Sequence, residues 1–351
     1  MTSIHDVARA TGVSTATVSR ALRGLPNVSP GTRELVQEAA ARLGYVPSPS
    51  ASGLSGGRHH AVAIVIPSTA RWFYTTVIEG ADSVLRREGY DTFLVILAAT
   101  ATDRERLFHN ALLRKRADAV IALGIDFTVD ERRELRSVDM PAMIVGGPVR
   151  GVRSVGIDDL AAGRAAMEHL LQLGHRRIGH LGGETEYGMD HSVGQDRSRA
   201  WRGALEAHGI VPRPEWYALG SFLMPQAKVA ATAMLQSAEA PTAIFAGSDE
   251  MAFGAIVAAL ELGLRVPEDV SVIGIDDHAW SESFGLTTMR QDPFEQGRIA
   301  ARTVVDELSG LTSPIRTVKS EVRLVVRRST APVARDGLHD LGGVRLPSVA
   351  L

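Results

Sequence analysis

Residues 3 to 22 run Ser3-Ile4-His5-Asp6-Val7-Ala8-Arg9-Ala10-Thr11-Gly12-Val13-Ser14-Thr15-Ala16-Thr17-Val18-Ser19-Arg20-Ala21-Leu22. Ser3 is a good N-cap, and Ile4, Val7, Ala8 and Thr11 recur at helical spacing until Gly12 stops them. Ser14 caps a second helix over Thr15 to Leu22, with Val18, Ala21 and Leu22 on one face. The connection Thr11-Gly12-Val13-Ser14 has the length and composition of a helix-turn-helix turn. A third helix opens with Ser29 as cap and Pro30 at its first position, runs through Leu35, Val36, Ala39 and Leu43, and ends at Gly44. On the second helix the apolar face leaves Thr15, Ala16, Ser19 and Arg20 pointing outward. Arginine holds guanine O6 and N7 bidentately, and small hydroxyls reach phosphates or base edges, so this surface suits a DNA major groove. A merely solvated three-helix bundle fits the same pattern.

Outward from this stretch, the charge is uneven. The 351 residues carry a net −2, yet residues 1–58 contain six basic side chains (Arg9, Arg20, Arg23, Arg33, Arg42, Arg58) against three acidic ones (Asp6, Glu34, Glu38). A head of +3 therefore precedes a body of −5. The length predicts two or three domains at about 150 residues each. With no cysteine, disulfides, thiolate metal sites and a Cys nucleophile are excluded. No run approaches the roughly 18 apolar residues of a membrane span, and residues 1–25 lack a leader pattern, so a cytoplasmic protein is expected.

From Ala61 onward strands and helices alternate. Strands are read at Val62–Ile66, Phe93–Leu97, Ala119–Leu123 and Ala142–Val145, with helices before Gly89 and around 103–115. A second series has strands at Arg177–Gly183, Thr242–Ala246 and Ser271–Ile275, with helices over 196–208 and 249–262. The pattern predicts two α/β lobes with parallel sheets and a ligand at the carboxyl ends of their strands. Trp72, Phe73 and Tyr74 follow the first strand; three adjacent aromatics cannot all point inward, so at least one faces the cleft, though core packing suits each singly. Asp249 and Asp276 follow successive strands and suit paired acceptor contacts with hydroxyls, Asp249 also being a helix N-cap candidate. Phosphate-loop, dinucleotide and nucleophile-elbow motifs are absent, and His175 and His180 have no carboxylate at metal spacing. No catalysis, metal or cofactor is expected.

The quoted stretch, with Val28-Ser29-Pro30-Gly31-Thr32-Arg33 and Leu43-Gly44-Tyr45-Val46-Pro47, closely resembles the DNA-binding headpiece of the LacI/GalR family of bacterial transcription regulators. Similar blocks continue through the body, among them Leu173-Gly174-His175-Arg176-Arg177-Ile178, Asp249-Glu250-Met251-Ala252 and Val266-Pro267-Glu268-Asp269-Val270-Ser271, covering roughly residues 2 to 332. The resemblance implies a small all-α helix-turn-helix headpiece (1–46), a hinge linker (47–60), a periplasmic-binding-protein-like two-lobed α/β domain for effector binding and dimerisation (61–332) and a flexible tail (333–351). Strands near 155–160, 286–291 and 319–324 would cross between the lobes.

The same resemblance assigns base reading to Thr15, Ala16 and Arg20, and phosphate proximity to Thr17, Ser19, Thr32 and Arg33, with Ser29 and Tyr45 in the same surface. It makes Leu54 a minor-groove wedge, in a hinge that departs from the family through Ser48, Pro49, Ser52 and Gly53. In the cleft it implies Arg197 as a bidentate donor and Phe222 as an aromatic lid, beside Trp72, Phe73, Tyr74, Asp249 and Asp276. Ser248, Gly146-Gly147-Pro148 and Ala98-Ala99 depart from the usual polar residues, which leaves lobe one aromatic and poor in polar contacts. The tail, with Gly337, Gly342, Gly343 and Pro347, cannot supply tetramerising leucine heptads, so a homodimer is expected. The expected function is a repressor of sugar-utilisation genes that binds pseudo-palindromic double-stranded operator DNA and is released by a small carbohydrate. A purine-type corepressor system or a cytoplasmic solute-binding protein are the other readings.

Overall fold

The structure is a computed structural model that describes residues 2–22, 24–45, 59–97, 116–125, 128–137, 140–147, 151–183, 191–311, 314 and 316–333. The hinge wedge Leu54, the helix expected around 103–115, Ala98-Ala99, Pro148 and the tail from 334 lie outside the described residues.

The headpiece is α1 (Ile4–Thr11), α2 (Thr15–Leu22) and α3 (Pro30–Leu43). Gly12 and Gly44 end α1 and α3 in the left-handed conformation that glycine adopts without strain. Ser29 Oγ accepts the Thr32 N–H at 3.2 Å, as expected of an N-cap. Ser3 works the other way: its N–H and its hydroxyl both donate to the Asp6 carboxylate. Those two bonds hold the Asp6 pKa below its usual value. Val7, Val18, Ala21, Val36, Ala39 and Ala40 form the small core.

Lobe one holds β1 (Ala61–Ile66), α4 (Trp72–Leu85), β2 (Asp91–Ile96), β3 (Ala119–Leu123), α5 (Val129–Ser137), β4 (Ala142–Val145) and β5 (Arg153–Gly156). The chain then enters lobe two: α6 (Asp159–Gln172), β6 (Ile178–Gly182), α7 (His191–Ala207), β7 (Tyr217–Leu219), α8 (Met224–Leu235), β8 (Ala243–Ala246), α9 (Asp249–Glu261), β9 (Ser271–Asp276), the one-turn α10 (Ser281–Phe284) and β10 (Thr287–Arg290). It returns for α11 (Pro293–Leu308) and β11 (Thr317–Lys319), and ends with β12 (Arg323–Val325) in lobe two. The sheets are ordered β2-β1-β3-β4-β5-β11 and β7-β6-β8-β9-β10-β12. All neighbours are parallel except β12 against β10. Both orders place a switch point beside the first strand of the lobe, where such sheets bind ligands.

β1 shows why its sequence is unbroken Ala-Val-Ala-Ile-Val-Ile. Val62, Ile64 and Ile66 pack on the α4–α11 side, whereas Ala63 and Val65 pack on the opposite face. The expected inter-lobe passages occur at residues 156–159, 290–293 and 319–323. α11 belongs to lobe one because two glycines let it touch α4. A Cβ at Gly297 would lie 2.0 Å from Val77 O, and one at Gly80 would lie 2.0 Å from Phe294 O. α7 begins at His191, earlier than residue 196, since Ser192 and Gly194 blur its start in the sequence. In α6, Gly163 interrupts the pattern for a packing reason: a Cβ there would lie 2.6 Å from Ala200 Cβ on α7.

Candidate functional site

The cleft between the lobes opens at the carboxyl ends of β1, β4 and β5 in one sheet and of β9 and β10 in the other. It encloses about 370 Å³, part of it open to solvent. Arg71 and Phe73, from the segment entering α4, line it together with Gly146, Gly156 and Ile157. The opposing wall is Asp159, Val193, Arg197 and Asp276, and Gln291 and Gln296 close it at the second inter-lobe passage.

Arg197 is buried on α7 and held from two elements. Its Nε and Nη2 donate to Asp159 Oδ1 at 2.9 and 2.6 Å, and its Nη1 donates to Gly247 O at the end of β8. A buried guanidinium with its partners in place is fixed in orientation, because releasing it would strand a charge away from water. Asp276 ends β9 with φ +136°, followed by Asp277 at +59°. Two successive non-glycine residues in this region mark local strain. Asp277 is anchored by Arg290 and by Arg327, the latter at 2.6 Å. Asp276 Oδ1 accepts the Gln291 amide at 2.6 Å. Burial raises the Asp276 pKa, with Arg197 and Gln291 opposing.

Of the three aromatics, Phe73 alone lines the cleft. Tyr74 is buried in the lobe-one core, its hydroxyl accepting Arg71 Nη1 at 2.6 Å. Trp72 packs across to lobe two, 4.6 Å from the His278 ring. Phe222, expected as a lid, is fully buried and does not line the cleft. Its ring lies under the Arg71 guanidinium at 4.0 Å and 6.0 Å from that of Arg197, a floor for two cations.

Asp249 also departs from expectation. Its carboxylate is wholly buried, accepting from His278 N–H at 2.9 Å, Ser281 Oγ at 2.6 Å and Thr288 Oγ1 at 2.6 Å. It reaches that position because Gly274 on β9 has no side chain: a Cβ there would lie 2.2 Å from Asp249 Oδ1. Burial and the nearby Asp276 raise the Asp249 pKa. Nor is it the cap of α9, since Ser248 Oγ accepts the Met251 N–H. Asp249 ties the loop after β9, α10 and β10 together and does not line the cleft. Its neighbour Glu250 instead crosses between lobes, accepting the backbone N–H of Trp72 close to Arg71.

Sequence reasoning missed Arg71, Asp159, Gln291 and Gln296. Arg71 stands directly before the aromatic run, a signal passed over in favour of the rings. It also gives lobe one a polar side chain in the cleft wall. Gly146-Gly147 has a steric cause, since a Cβ at Gly147 would lie 2.1 Å from Ser192 Oγ at the start of α7.

On the headpiece, Ala16 and Arg20 are exposed and Thr15 and Ser19 half-buried along one edge of α2. Other residues expected at DNA have local partners. Thr17 bonds Ser14, Thr32 bonds Ser29, and Tyr45 packs on the core. Arg33 donates to Ala21 O at 3.2 Å and Leu25 O at 2.9 Å, gripping the end of α2. The lobe-two histidines are structural: His175 bonds Thr242 and Ala331, and His180 bonds Phe245 and Ser198. Among the described residues no group of three His, Cys, Asp or Glu could hold a metal ion, and no helix is long and apolar enough to cross a membrane.

Comparison with known proteins gives two family matches: bacterial regulatory proteins, lacI family, over residues 3–48, and the periplasmic binding protein-like domain over residues 167–330. The HTH-type transcriptional repressor CytR of Escherichia coli (strain K12) is 32% identical over 339 residues, covering 93% of this chain and 96% of that protein. A complex of the transcriptional regulator CelR with cellobiose is 31% identical, covering 94% of this chain and 100% of the other, with a TM-score of 0.68. The lac repressor dimer bound to operator and the anti-inducer ONPF is 26% identical, covering 94% and 99%, with a TM-score of 0.81.

Proposed function

Because the chain belongs to the lacI family of bacterial regulatory proteins, we propose that it is a ligand-responsive transcriptional repressor without catalytic activity. One observation carries the reading. A helix-turn-helix with an outward edge of Thr15, Ala16, Ser19 and Arg20 is followed in the same chain by a two-lobed body with a polar, partly aromatic cleft. As a two-fold dimer it places one headpiece in each half of a pseudo-palindromic operator. Arg20 reads guanine and Ala16 contacts at most a thymine methyl. Thr17, Ser29, Thr32 and Tyr45 shape this surface, and Leu54 in the hinge unstacks a base step at the dimer axis.

The effector is a small sugar. Phe73 stacks on the ring, and Arg197, Asp276 and Gln291 take hydroxyls. Binding changes how the lobes meet and thereby the spacing of the headpieces. A preference for one state of about 1–3 kcal/mol is enough to release DNA.

The test is fluorescence anisotropy of the purified protein on DNA from upstream of its own coding region, with and without a panel of sugars and glycosides. Specific, salt-sensitive binding that one sugar relieves is expected. Binding no tighter than to unrelated DNA would overturn the regulator reading, and operator binding indifferent to every sugar would overturn the sugar reading.

A further inference from the structure

Gln296 lies in the second turn of α11, is 1% exposed, and is part of the cleft wall. Its Nε2 donates to Gln291 Oε1 at 2.8 Å, and Gln291 Nε2 donates to Asp276 Oδ1 at 2.6 Å. The order of atoms in this chain is dictated from one end. An ionised carboxylate only accepts, so Gln291 must turn its amide nitrogen toward Asp276. Its oxygen is then left for Gln296, which must offer nitrogen in turn. Gln296 Oε1 is what remains, buried and without a hydrogen-bond partner among the described residues.

Buried polar atoms in folded proteins are almost always paired, and an unpaired acceptor in the wall of a binding cleft points to a donor on the ligand. The charges narrow the ligand further. Arg197 is paired with Asp159, and Arg71 lies close to Glu250 and over the Phe222 ring. With Asp276 also in the wall, no surplus positive charge awaits an anion. The chain also spans the cleft: Asp276 is in lobe two, Gln291 on the inter-lobe passage and Gln296 on the helix packed against α4.

We propose that Gln296 is a specificity-determining residue whose Oε1, oriented by Asp276 through Gln291, selects a neutral effector carrying a hydroxyl that donates a hydrogen bond at this point. The proposal rests on the cleft being the effector site.

The experiment is calorimetric titration of the full-length protein with neutral pentoses, hexoses and nucleosides, each beside its monodeoxy analogues. For the tightest compound, Gln296→Met should weaken binding about 10- to 100-fold, because a site built to pair a hydroxyl rejects a partner lacking it. One monodeoxy analogue should bind wild type equally weakly and lose nothing further in the variant. Gln296→Leu, of similar size and equally without the acceptor, should lose the same discrimination, which also covers a poorly folding Met variant. Equal losses for every analogue, or no loss, would overturn the proposal while Arg197→Met, by abolishing binding, upholds the cleft. If no compound binds wild type, the cleft reading falls and the proposal with it.

Discussion

The indole ring of Trp72 lies 4.6 Å, centroid to centroid, from the imidazole of His278, so the first residue of α4 in one lobe packs on the loop after β9 in the other. The same residue gives its backbone N–H to Glu250, which places a carboxylate at the amino end of α4, where the helix dipole favours negative charge. These contacts join the two lobes. Glu250→Ala should favour the open form by about 1 kcal/mol and weaken effector binding five- to tenfold. Calorimetry and small-angle scattering check this together; unchanged affinity and unchanged dimensions would remove Glu250 from the closure.

On DNA, Arg20→Ala should cost about 1–3 kcal/mol and relax preference at one base pair. Arg33→Met should behave differently, because Arg33 binds two carbonyls at the end of α2. It should lower the melting temperature of the headpiece while leaving base preference intact. Operator selection by sequencing, alongside thermal denaturation, separates the two outcomes.

Gly297→Ala should be among the most damaging single substitutions in the body. A Cβ 2.0 Å from Val77 O meets backbone, which cannot swing aside. Helix α11 must move away from α4, at about 1–3 kcal/mol or more. Chemical denaturation measures the loss. Wild-type stability in this variant would mean that the two helices do not touch at this point.

Burial holds the Asp249 pKa above its ordinary value of 3.8. The folded protein therefore binds a proton more tightly than the unfolded chain does. This contribution to stability is present below about pH 3.8 and declines as pH rises through the folded-state value. In Asp249→Asn the decline should flatten, since Oδ1 can still accept from His278 and Ser281 and Nδ2 can donate to Thr288. Melting curves of both proteins from pH 4 to 8 test the sign. A steeper fall in the variant would refute it.

Much of the fold was legible in the sequence for concrete reasons. Ser29, Pro30, Gly12 and Gly44 bound their helices by backbone chemistry that acts locally. The short, β-branched apolar run from Val62 to Ile66 suits a strand covered on both faces. The cleft was less legible, because its residues owe their places to contacts distant in sequence. Asp249 and Asp276 occupy similar positions after successive strands, and only the missing side chain of Gly274 draws one of them inward. Phe222 was expected as a lid through the family resemblance alone, whereas its ring fills the space left by Gly183. Gln296 gave no signal, since a glutamine on a helix is usually a solvated residue. Its burial depends on α11 returning to lobe one.

That return has a consequence for synthesis. β11 is the last strand to join sheet one, and β12 is the last to join sheet two. Neither lobe is complete until the ribosome has passed residue 325, although each began far earlier. The nascent protein thus carries two unfinished sheet edges at once, both capped by one short stretch near its end. Deleting residues 317–333 would strip an edge strand from both lobes and leave each open to pairing with another chain.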